Sequence, residues 1–184
     1  MRSLQDHFLI AMPAMADPNF TQTVTYICKH DAEGAFGVVI NRPSDLSVGE
    51  MLGQLAIEIT DRTLVERPVM SGGPVEPERG FVLHRSEKPF ETTLSVGGDI
   101  KLTSSPDVLA ALGRGTGPEP VLVALGYAGW GRGQLEAEIN SNTWLTVPAD
   151  QSIIFETPFE QRWTGALGLP GVDIQRITEY AGHA

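Results

Sequence analysis

The stretch LGYAGWGRGQLEAEI (residues 125–139) sets an apolar run, four glycines within eight residues and a helical pattern in immediate succession. VLVALGY, which leads into it, reads as a strand, and QLEAEI as a helix with acid near its positive end. Strand, glycine loop and helix in that order place backbone N–H groups and the helix dipole where an anion can sit. Yet Gly126, Gly129, Gly131 and Gly133 are spaced G-x-x-G-x-G-x-G rather than G-x-G-x-x-G. No Lys-Ser/Thr pair follows, and Glu136 and Glu138 bring negative charge into the early helix. The expectation is therefore a turn that reverses a buried strand into a helix, and only secondarily one wall of a pocket for a non-nucleotide polar ligand. Trp130 is then either the floor of that pocket or a staple holding the loop to the core.

Outward from this stretch, strands and helices are intermixed. HFLIAM (residues 7–12) and QTVTYICKH (residues 22–30) read as strands, and DAEG turns the second into AFGVVIN as a hairpin that ends at Arg42 and Pro43. SVGEMLGQLAIEI is a short helix behind a Ser47 cap, weakened by Gly49 and Gly53. RPVMSGGP and RGFVLH are strands around a glycine turn, and TTLSVGGDIKLTSS is a hairpin with Gly97 and Gly98 at its tip. SSPDVLAALGRG is the clearest helix, with Ser105 as cap, Pro106 at the first position, Asp107 near the positive end and Gly113 to stop it. TWLTVPAD and SIIFE read as strands, and FEQRWTGALGL as a last helix before Pro170. Predominant hairpins predict α+β with a curved, mixed, mostly antiparallel sheet, and 20 glycines suit a sheet that bends sharply.

The 184 residues suit one domain, 1–184, and 41% hydrophobic with 20% charged residues is ordinary globular composition. A formal charge of −10 without any Lys/Arg cluster opposes direct nucleic-acid binding, which needs cations to displace counterions from phosphates. The same balance opposes an anionic membrane surface, and no apolar run is long enough to span a bilayer. FLIAMPAMA imitates a signal peptide, but Asp6 and His7 interrupt its flank and Pro13 cuts the apolar run short. With the single cysteine Cys28, no intrachain disulfide can form, and a cytoplasmic location is expected.

Several ordered segments carry a resemblance: HFLIAMPAMADPNF, GVVINRP, SGGPVEPERGFVLH, TSSPDVL, LGYAGWGRGQLEAEI, WLTVPAD and the terminal AGHA. Together they closely resemble the AlgH/YqgE family of bacterial proteins, from His7 to Ala184. The resemblance implies an α+β domain whose bifurcated sheet folds into a pseudo-barrel flanked by helices, in a cytosolic protein. Members carry the label of transcriptional regulators through an association with alginate synthesis. No agreed activity, catalytic residue set or cofactor comes with the family.

The ligand-binding candidates are strand ends and the glycine stretch: Asn41, Arg42, Gly72, Gly73, Trp130, Gly131 and Gln134. If the sheet gathers them, Asn41 supplies a donor and an acceptor, Arg42 a fork for a carboxylate or phosphate, and Gly73 close backbone approach. The competing reading is an Asn-capped turn, a surface arginine and an ordinary glycine bend. Cys28 is a redox candidate only if an electropositive neighbour arrives from elsewhere; a buried inert thiol is the expectation. His7, His30, His84 and His183 are scattered without metal-ligand spacing, no G-x-S-x-G elbow is present, and Glu136 and Glu138 point to different faces of their helix. The expected function is a non-catalytic regulatory domain that binds a protein partner or a small polar ligand, with no metal and no cofactor. Its rivals are an enzyme using a pocket near Asn41, Arg42 and Trp130, and a thiol redox sensor through Cys28.

Overall fold

The computed structural model describes residues 2–173, 175 and 177; His183 and the terminal AGHA lie outside them. In chain order the elements are β1 (His7–Ala11), β2 (Val24–Asp31), β3 (Gly34–Val39), β4 (Pro43–Ser47), α1 (Val48–Gln54), β5 (Pro68–Ser71) and β6 (Val75–Arg85). There follow β7 (Thr93–Gly97), β8 (Ile100–Thr103), α2 (Pro106–Arg114), β9 (Val121–Gly131), α3 (Gln134–Asn140), β10 (Trp144–Pro148), α4 (Gln151–Phe155) and α5 (Arg162–Leu167), the last preceded by a 3-10 turn. Among the described residues, the β5–β9 pairing alone is parallel. The fold is α+β with a mixed, mostly antiparallel sheet, as the alternation and turn chemistry predict.

The chain divides into two compact units, Met1–Asn41 with Ala128–Ala184, and Arg42–Tyr127. In the first, strands run in the order β10, β1, β2, β3 and the last residues of β9. The run from Val24 to Cys28 is inaccessible on both faces, so this strand is covered on either side of the sheet. Leu9, Ala11, Ile27, Ala128, Trp130, Leu135 and Trp144 form one core cluster here. The β2–β3 hairpin turns at Asp31, whose side chain accepts from Glu33 N at 2.9 Å, an Asx turn built from the DAEG signal.

In the second unit the order is β4, β5, β9, β6, β8, β7. Ser47 caps α1 with a complete capping box: its hydroxyl accepts from Glu50 N at 3.1 Å and Glu50 reaches back to Ser47 N at 2.9 Å. That helix stops at Gln54, short of the Ile59 that its apolar pattern reached. Val48, Leu52, Val69, Val82, Val108, Leu112 and Val123 make the core beneath α1 and α2.

Four expectations need correcting. GYAGWGRG is not a turn: β9 continues through Gly126, which takes φ +79 inside it, Gly129 and Gly131, and only Gly133, at φ +72, sits at the helix entry. Residues 43–47 continue as a strand after the break at Pro43, which tolerates proline at its first position. SIIFE is not a strand but most of α4, because Asp150 caps it by accepting from Ser152 N at 2.9 Å. Gly113 does not stop α2, which ends at Gly115 in the left-handed region at φ +73. Instead Gly113 lets the helix press on the backbone of Glu58, whose carbonyl occupies the place a Cβ would take.

Candidate functional site

The sequence candidates are spent largely on holding the fold. Asn41 pins the start of β2: its Oδ1 accepts from Val24 N at 2.9 Å and its Nδ2 donates to Gln22 O at 2.8 Å. Arg42 is half-buried, and its carbonyl accepts from Ser71 N at 2.7 Å. Gly72 N donates to Leu125 O at 2.7 Å, and Gly73, at φ +153, lets the chain turn toward β6. Trp130, Gly131 and Gln134 are brought together. Gly131 N donates to Gln134 Oε1 at 3.0 Å, Gln134 Nε2 to Glu138 Oε1 at 3.0 Å, and Trp130 Nε1 to Glu138 Oε2 at 2.9 Å. Trp144 Nε1 reaches the same Oε2 at 2.9 Å, so one carboxylate gathers two buried indoles and Trp130 is a staple.

Glu136 indeed leaves α3 on another face from Glu138 and bonds His30 Nε2 at 2.7 Å. His30 Nδ1 accepts from Leu4 N at 2.9 Å, which leaves the proton on Nε2, facing the carboxylate. The backbone N–H of Glu136 itself, and then His30, hold that carboxyl below the usual range. Cys28 is fully buried, and burial followed by the nearby negative charge of Asp6 pushes its thiol up, away from the nucleophilic thiolate. That environment is the reverse of a redox sensor's. Arg162, missed in the sequence, lies buried with its guanidinium on the carbonyls of Ile40 and Thr157, and burial lowers it to about 10.

One cavity lies within the second unit, and none of the sequence candidates lines it. It is a groove of about 660 Å³. Met51 from α1 and Leu55, which caps its C-terminus, form one wall, Val108 and Leu109 from α2 the other, and Val82 and Leu125 the floor. Gly80 keeps the floor open: a Cβ there would meet only Leu125 Cδ2, at 3.8 Å. Leu55, at the end of α1, stands on the lip at 54% exposure. Glu78 is the sole charged side chain in the lining. Another cavity, about 190 Å³ between residues 12–16 and 141–143, is far smaller.

Two of the hydroxyls at the polar end of the groove, those of Thr103 and Ser105, are already committed. Thr103 Oγ1 lies 2.7 Å from His84 Nε2 and 2.8 Å from Thr93 Oγ1. Ser105 Oγ donates to Asp107 Oδ1 at 2.5 Å and accepts from Thr92 N at 2.9 Å. Thr103 and His84 have a hydroxyl–imidazole geometry reminiscent of a nucleophile and its base, but both are wholly inaccessible. His84 Nδ1 has no partner; an unpaired lone pair costs less there than an unpaired N–H, which places the proton on Nε2. Burial, then the positive charge of Lys101, lowers the pKa of this imidazole. Among the described residues no three His, Cys, Asp or Glu side chains converge as metal ligands, and no helix is long and apolar enough to cross a membrane.

Comparison with known proteins bears on this arrangement. A family model described as AlgH-like matches residues 8–175. The chain belongs to the AlgH-like family. A UPF0301 protein of Xanthomonas campestris pv. campestris is 51% identical to this AlgH-like chain over 181 residues, covering 98% of it and 96% of the relative. A UPF0301 protein of Stenotrophomonas maltophilia is 50% identical over the same shares. The solution structure of AlgH from Pseudomonas aeruginosa superposes at TM-score 0.80 with 48% identity, covering 100% of both chains. A crystal structure of a Corynebacterium diphtheriae protein, at TM-score 0.71 and 18% identity over 93% of this chain and 90% of that one, shares the fold. Signals that could have found the groove were faint: apolar Leu55 and Ile57 past the end of α1, and Gly80 where a strand residue would have filled the floor.

Proposed function

We propose that this AlgH-like chain is a non-catalytic binding protein of the bacterial cytoplasm, regulatory in role, whose site is the groove between α1 and α2. The observation that carries this reading is the groove itself: about 660 Å³, inside the roughly 300–1,000 Å³ typical of ligand sites, and walled by apolar side chains. An apolar wall with one carboxylate suits recognition by burial. It does not suit the polar ligand expected from the sequence, which would leave its own groups unpaired against Val82, Val108 and Leu125. Regulation by direct contact with duplex DNA is disfavoured by the charge of −10, so the proposed partner is not nucleic acid.

The test is titration with Nile red, a neutral apolar dye. Saturable one-site fluorescence enhancement is expected on the native chain. It should be lost in Gly80→Leu, which fills the floor, provided that the variant melts near the parent temperature. Absence of saturable binding, or binding indifferent to Gly80→Leu, defeats the reading.

A further inference from the structure

We infer that the occupant of the groove is a basic amphipathic helix of a partner protein, laid with its apolar face between α1 and α2 and a Lys or Arg over Glu78. This rests on the groove being the binding site. The charge argument starts with Glu78, which is exposed and has no hydrogen bond or ion pair among the described residues. The nearest cation in sequence, Arg79, is committed elsewhere: its Nη1 holds Glu76 Oε2 at 3.3 Å and its guanidinium lies 5.3 Å over the Phe81 ring. No Lys or Arg lines the groove, and residues 42–127 hold twelve acidic against eight basic side chains, so complementarity calls for a cation.

The shape of the site selects a helix. An extended peptide binds by adding a strand to an open sheet edge, but at Val82 on the groove floor β6 is paired on both sides, to Thr103 of β8 and Val123 of β9, and in the stretch before it, which β8 does not reach, Pro77 has no N–H to donate to a ladder. Ser105 and Thr103 spend their hydroxyls inside the protein, leaving few main-chain partners for an extended segment. A helix satisfies its own backbone and asks only for apolar burial at i, i+3, i+4 and i+7. Leu55 argues against a small molecule: a compound inside the groove leaves this 54% exposed lip side chain in water, whereas a helix running past the lip covers it. Met51 in the wall can adjust its rotamers to the anchors of such a helix.

The experiment titrates the full chain, at physiological salt, with three fluorescein-labelled 18-residue peptides. All carry Leu at i, i+3, i+4 and i+7; the polar face is Lys in the first and Glu in the second, and the third is the Lys peptide with two central prolines. Nile red is measured in parallel. The Lys peptide should bind one-to-one at micromolar Kd, at least about tenfold tighter than either other peptide. Leu55→Ser should weaken it several-fold, and Glu78→Gln about three- to fivefold, while Asp31→Asn, the same loss of charge in the other unit, should change it less than twofold. Equal binding of the Lys and Glu peptides, equal binding of the proline peptide, or equal effects of Glu78→Gln and Asp31→Asn overturns the inference. If Nile red still binds in those cases, the groove reading survives; if Nile red fails too, both fall.

Discussion

The carbonyl oxygen of Gly73 lies 2.5 Å from the point where a Cβ on Gly126 would stand, and Gly126 itself adopts φ +79. Two backbones therefore meet in the middle of β9 at a distance no side chain allows. The glycines in this stretch are not equivalent, and each one's conformation and neighbours decide its role.

Gly126→Ala should lower stability by about 2 kcal/mol or more, since it combines left-handed strain with a backbone collision. Gly133→Ala, at φ +72 with nothing within 4 Å, should cost about 1 kcal/mol from strain alone. Gly131→Ala, whose nearest neighbour is Gln134 Oε1 at 3.9 Å, should stay within about 0.5 kcal/mol of the parent. Urea unfolding of the three variants checks the order, and an unaffected Gly126→Ala refutes it.

Glu138 is the acceptor for two buried indoles. Glu138→Ala strands both N–H groups and should destabilise by about 2–3 kcal/mol, whereas Glu138→Gln keeps an oxygen for them and should cost less than half as much. Denaturant midpoints, with tryptophan fluorescence reporting the local change, decide it; equal losses in the two variants would mean that the side chain matters only for packing.

His84 makes stability depend on pH in a definite direction. Its folded pKa is lowered, by burial first and then by Lys101, so the unfolded chain takes up the proton first, near its ordinary value of about 6.5. The stability contributed by neutral His84 is fully present above that pH and is lost as pH falls through the folded value. Chemical denaturation from pH 8 to pH 5 should show a steeper fall for the parent than for His84→Gln. Parallel curves would remove His84 from the account.

Cys28 should resist labelling. With the thiol fully buried and its ionisation opposed by that burial and by Asp6, a disulfide reagent at pH 7.5 should react only as fast as the chain opens. The unfolded chain in urea should react at the rate of a free thiol. Rapid labelling of the native protein would restore the redox reading.

Much of the fold was legible because the signals are local. The β2–β3 hairpin announces itself through DAEG, the β7–β8 hairpin through Gly97 and Gly98, α1 through Ser47 and Glu50, and α2 through Pro106 and Asp107. Each depends on a few neighbouring residues and the backbone angles they favour. The family, too, is a property of ordered motifs and needs no coordinates. SIIFE misled because a short apolar β-branched run fits a strand or a buried helix equally, and only the Asp150 cap separates them.

What tertiary structure decided lies in contacts between distant segments. Gly126, Gly129 and Gly131 look like a loop in one dimension, yet β9 takes Ala124 and Leu125 into pairing with β5 and residues 128–131 into pairing with β3; the second ladder holds Gly129 and Gly131 extended, while Gly126, between the two, takes φ +79. Asn41, Arg42, Gly72 and Gly73 read as ligand groups because their chemistry is versatile, but partners from remote segments claim Asn41 and Gly72 for the fold, and the Gly73 carbonyl packs against Gly126. The groove needs Leu55, Val82, Leu109 and Leu125 from four separate elements, each an ordinary apolar residue in its own segment. Sequence periodicity says which side of an element avoids water; the packing of whole elements decides which of those sides remain uncovered.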